Sequence, residues 1–284
     1  MQTRIAYSEW SAVDLPCPTT KASEVMRFRT LSAAASFLII GGALTGCSMF
    51  DPGETTSQDR EISDVTAIDL ETSGNVVVTK GDDVSLTITA GEKVIDSLTS
   101  DVRGGVLTLG SNAGFPRVMG VTGPITYELT VPSLDTATVS GSGGLTADFS
   151  GVDAVELTIS GSGDIDASGV DADTVEAVIE GSGNVRVNDL DADSVTARID
   201  GSGDIALVGA AAQQSVTIEG AGDIDASGVD AVDAVALIEG SGTIVVNATG
   251  TLTATIDGSG TIRHSGGATV EKNISGSGDI VGVD

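Results

Sequence analysis

A three-residue word, Gly-Ser-Gly, returns down the second half of this 284-residue chain at almost constant spacing. It begins at Gly141, Gly161, Gly181, Gly201, Gly240, Gly258 and Gly276, with Gly220-Ala221-Gly222 as a one-letter variant. Successive words lie 20, 20, 20, 19, 20, 18 and 18 residues apart. A period near 20 is the signature of one supersecondary unit stacked on copies of itself, and it constrains the fold more than any local propensity.

Aligned on the glycines, two columns are apolar throughout. Two residues before each word stand Val139, Ile159, Ile179, Ile199, Ile218, Ile238, Ile256 and Ile274. Two residues after it stand Leu145, Ile165, Val185, Ile205, Ile224, Ile244, Ile262 and Ile280. Smaller apolar residues flank them at period two: Leu157, Ala177, Ala197, Val216, Ala236 and Ala254 on one side, Ala147, Ala167, Val187, Leu207, Ala226 and Val246 on the other. Alternation at period two with β-branched residues is strand, not helix. Each coil therefore holds two short strands joined by a glycine corner, where φ > 0 or a close backbone approach excludes a Cβ. Gly-Val-Asp-Ala at Gly151, Gly169 and Gly228 reads as a second corner. The expected fold is all-β: a parallel β-helix of about 20-residue coils, with rungs about 4.8 Å apart and eight coils rising on the order of 35–40 Å. A lone coil cannot offset its ordering entropy, so neighbours must close its core.

Two polar residues break the flanking columns in the last full coil. His264 takes the place of Ala167 and Val246, and Lys272 that of Ala236 and Ala254. Terminal repeats are atypical because one end meets solvent, so both read as a C-terminal cap. Residues 62–134 are strand-rich but off the strict period. Ile68 to Leu70 followed by Ser73-Gly74-Asn75-Val76 reads as a first, isolated coil, and Glu92 to Leu98 as a short helix. Ile125 to Pro132 reads as the lead into the regular stack. This segment is expected to form an N-terminal β cap.

Met26 is a better start than Met1. Arg27 and Arg29 make a basic n-region, residues 31–44 an apolar h-region, and Leu44-Thr45-Gly46-Cys47 closes it. That is a secretory signal, too short for a spanning helix. Its last four residues resemble a bacterial lipobox, which implies cleavage before Cys47 and lipid on its thiol and new amino terminus. Residues 1–25 then read as a non-native upstream extension, residues 26–46 as the lipoprotein signal peptide and the polar residues 47–61 as a tether. Two or three acyl chains would hold the chain stably to a membrane.

The Gly-Ser-Gly corners, the lead-in Val131-Pro132-Ser133-Leu134, and the upstream Ser73-Gly74-Asn75-Val76 together resemble the auto-transporter adhesin head domain, called the head GIN domain. The resemblance covers residues 62–284, with residues 135–284 as the regular coils. It implies a β-helix related in shape to pectin lyases, no catalytic set, a role in cell adhesion, and trimeric assembly for some members; no cofactor is expected.

The formal net charge is −28. From Cys47 onward, 9 basic residues face 38 acidic ones, a net of −29. Nucleic acid is excluded as a partner, and an anionic membrane surface is disfavoured. The residue before the word is Glu180, Asp200, Glu219, Glu239 and Asp257 in five successive coils, while Asp164, Asp204, Asp223 and Asp279 follow it. The five-carboxylate column has the oxygen donors that Ca²⁺ takes, but the chain lacks the nine-residue period of Ca²⁺-binding β-rolls. The competing reading is a solvated acidic ridge that blocks sideways aggregation. Outward Thr158, Val178, Arg198, Thr217, Leu237 and Thr255 form a mild ladder on one face.

His264 is the only histidine, so no histidine-based triad or His-rich metal site can be assembled. Acids are too abundant for any carboxylate pair to point to glycoside hydrolysis. Phe50, Phe115, Tyr127 and Phe149 are the few aromatic rings that follow Cys47, which lowers a lectin reading. The expectation is a non-enzymatic, lipid-anchored, extracytoplasmic adhesion or scaffold module, with a membrane and an unidentified surface or envelope ligand as partners. The alternatives are a carbohydrate-active enzyme on a pectin-lyase-like β-helix and a purely structural envelope protein.

Overall fold

The β-branched columns and glycine corners build one continuous stack of parallel coils, a β-solenoid of about seven turns. The computed structural model describes residues 52–112 and 123–283, all within the unit Ser48–Asp284. The upstream extension, the signal peptide and Cys47 lie outside the described residues.

Each early coil contributes a strand to each of two walls. One wall takes β8 (Thr136–Val139), β10 (Ala154–Ile159) and β12 (Asp171–Ile179); the other takes β9 (Gly144–Asp148) and β11 (Asp164–Ser168). From β13 (Asn184–Ile199) through β14 (Asp204–Ile218), β15 (Asp223–Ile238) and β16 (Thr243–Gly258), one long strand bends through both walls. All these coils pair in parallel, with Ile159 over Val139, then Ile179, Ile199, Ile218, Ile238 and Ile256 in unbroken register. The second column, Leu145 to Ile262, stacks in the same way and is buried. A period of 20 residues brings each side chain back above its counterpart, so the columns face inward together.

The corners line up vertically and are hydrogen-bonded to one another. The central N–H of each word donates to the first glycine carbonyl of the coil before: Ser162 to Gly141, Ser182 to Gly161, Ser202 to Gly181, Ala221 to Gly201, Ser241 to Gly220. A Cβ on Gly161, Gly181 or Gly201 would be driven into the stacked carbonyl oxygen beneath it. Close approach, rather than left-handed φ, therefore selects glycine in most of these corners. At the opposite corner φ decides: Gly169 stands at φ 61 and Asp189, one coil on, at φ 55. There the ladder breaks register between Val187 and Leu190.

The core holds more columns than the two that are β-branched throughout. Val155, Val175, Val195, Ala234 and Leu252 stack in a third, with Gln214 among them at 2% exposure and neither amide atom paired within the protein. Ala172, Ala192, Ala211, Ala231 and Ala248 make a fourth.

The N-terminal segment differs from expectation in two respects. The expected tether, residues 47–61, contains a strand: β1 (Thr55–Arg60) pairs antiparallel with β4 (Ser85–Gly91). Its polar side chains suit an outer strand, where Ser57 and Thr89 hydroxyls meet at 2.8 Å and Thr87 Oγ1 donates to Asp59 Oδ1 at 2.8 Å. Second, the segment Ile125 to Pro132 does not lead straight into the regular coils. Its strand β7 (Thr126–Val131) lies in parallel on β3 (Asn75–Lys80), and β3 in turn lies on β9. Likewise β6 (Val106–Ser111) lies on β2 (Ala67–Leu70), which lies on β8. The early coil at Ile68 and Val76 is thus sandwiched between a rung from later in the sequence and the regular stack.

Above that rung the sheet turns antiparallel, with β4 against β7 and β5 (Leu98–Arg103) against β6. The short helix α1 (Glu92–Ile95) joins β4 to β5 and so crosses from one wall to the other. It buries Val94 and Ile95 over the end of the core. At the other end, β17 (Thr261–Ser265), β18 (Thr269–Gly276) and β19 (Asp279–Gly282) close the stack. His264 and Lys272 occupy the columns of Val246 and Ala254 as the sequence predicts. Ile274 stays in register below Ile256 but is 45% exposed, with no further rung beneath it among the described residues.

Candidate functional site

The outer faces carry the chemistry, since the inside is apolar but for Gln214. Glu180, Asp200, Glu219, Glu239 and Asp257 follow the inward isoleucines and stand exposed along one edge of the stack. They are not equivalent. Arg198, from the outward ladder, holds Asp200 through Nε at 2.9 Å and Glu219 through Nη2 at 2.9 Å. Ser160 Oγ donates to Glu180 Oε2 at 3.1 Å. The middle of the ridge thus already has a cation. Among the described residues, no three His, Cys, Asp or Glu side chains are grouped to hold a metal ion.

The acids that follow the glycine words serve the backbone instead. Asp164 Oδ1 accepts from the Asn184 backbone N–H at 3.1 Å and from its side-chain amide at 2.7 Å. Asp223 Oδ1 accepts from the Thr243 N–H at 2.8 Å, and Asp204 Oδ1 from the Asp223 N–H at 3.3 Å. Each hooks the next coil just after its corner. Asn75 does the same for Gly144 at 3.1 Å, so the device begins in the N-terminal rung.

A third acidic group had no place in the sequence reading. The second corner gathers Asp153, Asp171, Asp173, Asp191 and Asp193 around a shallow depression of about 260 Å³. The signal was present as Asp-Ala-Asp repeated at residues 171–173 and 191–193, two residues after the corner glycine or its aspartate substitute. Beside it, past Val152 and Asp153, runs an open groove of about 710 Å³ along the outer face of β10, β12 and β13. Thr136, Glu156, Glu176 and Thr196 cross its floor in one register column. Hydroxyls and carboxylates repeated at rung spacing can accept hydrogen bonds from a polyhydroxylated or cationic chain and would repel an anionic one.

Three basic residues are tied to backbone carbonyls. Lys80 Nζ donates to the Ser150 carbonyl at 2.9 Å, Arg60 to the Ile95 carbonyl at 3.2 Å, and Lys272 Nζ to the Ile280 carbonyl at 2.9 Å. The Ser150 hydroxyl and N–H, and Lys80 beyond them, hold the Asp148 carboxyl below its usual pKa. His264 faces the open end of the core. Burial, reinforced by the Lys272 ammonium, lowers its pKa, and its Nε2 is buried without a partner. No helix among the described residues is long and apolar enough to cross a membrane.

Stacked parallel coils whose outer faces bear repeated polar columns define the class as β-solenoid proteins. The particular family follows from the sequence: residues 64–268 match the family described as "Putative auto-transporter adhesin, head GIN domain", and the chain belongs to it. Solved structures share the fold. A putative lipid binding protein from Parabacteroides distasonis is 26% identical with a TM-score of 0.71, covering 82% of this chain and 98% of its own. A putative adhesin from the same organism is 24% identical with a TM-score of 0.72, covering 81% and 98%. Another from Parabacteroides merdae is 23% identical with a TM-score of 0.73, covering 82% and 97%. No match is found among the curated proteins.

Proposed function

We propose that this protein is a non-enzymatic adhesion or scaffold module, held outside the cytoplasmic membrane by lipid on Cys47. Membership of the adhesin head family carries the reading. The stack adds a physical reason: parallel rungs locked by corner hydrogen bonds make a stiff body that presents the same outward column several times. Repetition at fixed spacing turns weak single contacts into avidity. The contact face in this reading is the groove floored by Thr136, Glu156, Glu176 and Thr196. The anchor rests on the Leu44-Thr45-Gly46-Cys47 word alone.

Two measurements test the two halves. Fractionation of cells carrying Cys47→Ala is expected to move the protein out of the membrane pellet, and full retention in the pellet rejects the anchor. Binding of the purified chain to envelope and host-surface glycan fractions is expected to weaken at least tenfold in Glu156→Gln/Glu176→Gln with unchanged melting. Equal binding by that variant removes the groove from the proposal.

A further inference from the structure

We infer that the groove over β10, β12 and β13 takes a cationic polysaccharide, a hexosamine polymer with free amino groups, laid along the stack axis with its ammonium groups on Glu156 and Glu176. The inference rests on the groove being the contact face and narrows its ligand from surface glycans in general to one chemical class.

The groove is acidic without a counter-charge. Its lining holds the carboxylates of Asp135, Asp153, Glu156 and Glu176 and no lysine, arginine or histidine. Other acids of the stack are answered within the protein. Asp166 has Arg186 at 3.7 Å, Asp200 and Glu219 share Arg198, and Asp233 takes the Thr251 N–H and hydroxyl. Nothing among the described residues does this for Glu156 or Glu176. Register sets these two directly above one another, one rung or about 4.8 Å apart. Like charges at that spacing repel, and a cation laid against them relieves both.

What else lines the groove decides between a sugar chain and a peptide. The strands beneath it are paired along both edges, β10 with β8 and β12, and β12 with β10 and β13. No backbone group there is free to receive a peptide by strand addition. Recognition falls to side-chain oxygen, with the hydroxyls of Thr136, Thr174, Ser194 and Thr196 set around the two glutamates. Hydroxyls that both donate and accept match the hydroxyls of a pyranose chain, and carboxylates match its ammonium groups.

The same lining selects a charged sugar over a neutral one. No aromatic ring faces the groove, so a neutral chain finds no platform on which to stack. Affinity must come from charge-assisted hydrogen bonds, which only an amine-bearing chain supplies to carboxylates. The size also fits. From β8 to β13 the groove crosses three rung steps, roughly 15 Å, with a volume of about 710 Å³. An extended hexosamine chain repeats at close to one rung spacing, so it meets each rung with about one ring.

The test is calorimetric titration of the purified chain with a glucosamine oligomer, its fully N-acetylated counterpart and a lysine oligomer of equal charge, at mildly acidic pH where the sugar amines are charged. The glucosamine oligomer is expected to bind, and the other two at least tenfold more weakly. Its binding should weaken as salt rises. Glu156→Gln/Glu176→Gln should lose at least tenfold with unchanged melting. The same change of charge on the ridge, Glu239→Gln/Asp257→Asn, should alter binding by less than about twofold, which separates the groove from the general acidity of the chain. Equal binding of the acetylated or the lysine oligomer, or an equal loss in the ridge variant, would each overturn the inference. Should the glucosamine oligomer fail to bind while surface glycan fractions still bind through Glu156 and Glu176, the inference falls and the groove stays the contact face. Failure of both removes the groove as well.

Discussion

At the scale of single residues, the corner glycines and the inward isoleucines do different work. A methyl group on Gly181 has nowhere to go, because the Gly161 carbonyl oxygen occupies its place. Gly181→Ala should therefore cost about 1–3 kcal/mol, the usual range for an overpacked site, and calorimetry should show a lower Tm. Ile199→Ala leaves a gap between Ile179 and Ile218 and should cost about 2–5 kcal/mol. Gln214 runs the other way. Its amide is buried in an otherwise apolar column without a protein partner, so Gln214→Met should stabilise the fold by about 1–3 kcal/mol in denaturant unfolding. A neutral or destabilising result would show that the amide is satisfied after all. His264 links stability to pH. Its folded pKa lies below the ordinary 6.5, so the unfolded chain takes up the proton first as acid is added. This contribution is greatest above about pH 6.5 and falls as pH drops through the folded value. The single imidazole signal should titrate below 6.5, and Lys272→Met should raise its midpoint. An unshifted titration would contradict the burial of the ring.

At the scale of elements, strand pairing is reinforced by side chains that reach one rung along the axis. Asp164, Asp204 and Asp223 each fasten the N–H at the start of the next strand. Asp164→Ala removes a partly buried bond to the Asn184 backbone as well as one to its amide. It should cost about 0.5–1.5 kcal/mol per bond and raise exchange at the Asn184 amide first. Helix α1 is too short to be stable alone and exists because Val94 and Ile95 close the core beneath it. Ile95→Ala should loosen β5 and β6 ahead of the regular coils, read as early loss of their exchange protection. The cap was only partly legible in sequence: Glu92 marked the helix and Ile68 the first rung, yet the order of rungs was not. Which strand lies on β2 depends on pairing across tens of residues, and alternation in β6 or β7 says nothing about their neighbours. The polar run at residues 55–60 looked like tether for a related reason. An edge strand with both faces near solvent has the composition of a loop.

At the scale of the whole stack, each coil touches only the coils beside it, so stability is close to a sum over neighbours. Exchange protection should rise from β18 and β19 toward the middle coils and fall less steeply toward the α1 cap. A flat profile would mean a single cooperative unit. The acidity matters here as a field rather than as a site. With a formal net charge of −28, self-repulsion opposes the compact state, so salt should raise Tm. Arg198 relieves this locally between Asp200 and Glu219, whereas the Asp153 to Asp193 corner has no such cation in its lining.

The sequence by itself determined the repeat, the inward columns and the family. A corner too tight for a Cβ and a core built of stacked apolar columns allow few residues, and the same few return about every 20 positions. The tertiary structure alone decided which acids have partners, where the outer face is hollow and how the early rung is sandwiched. Those depend on which strands lie side by side, and a row of carboxylates reads the same in sequence whether an arginine, a backbone amide or only solvent stands opposite it.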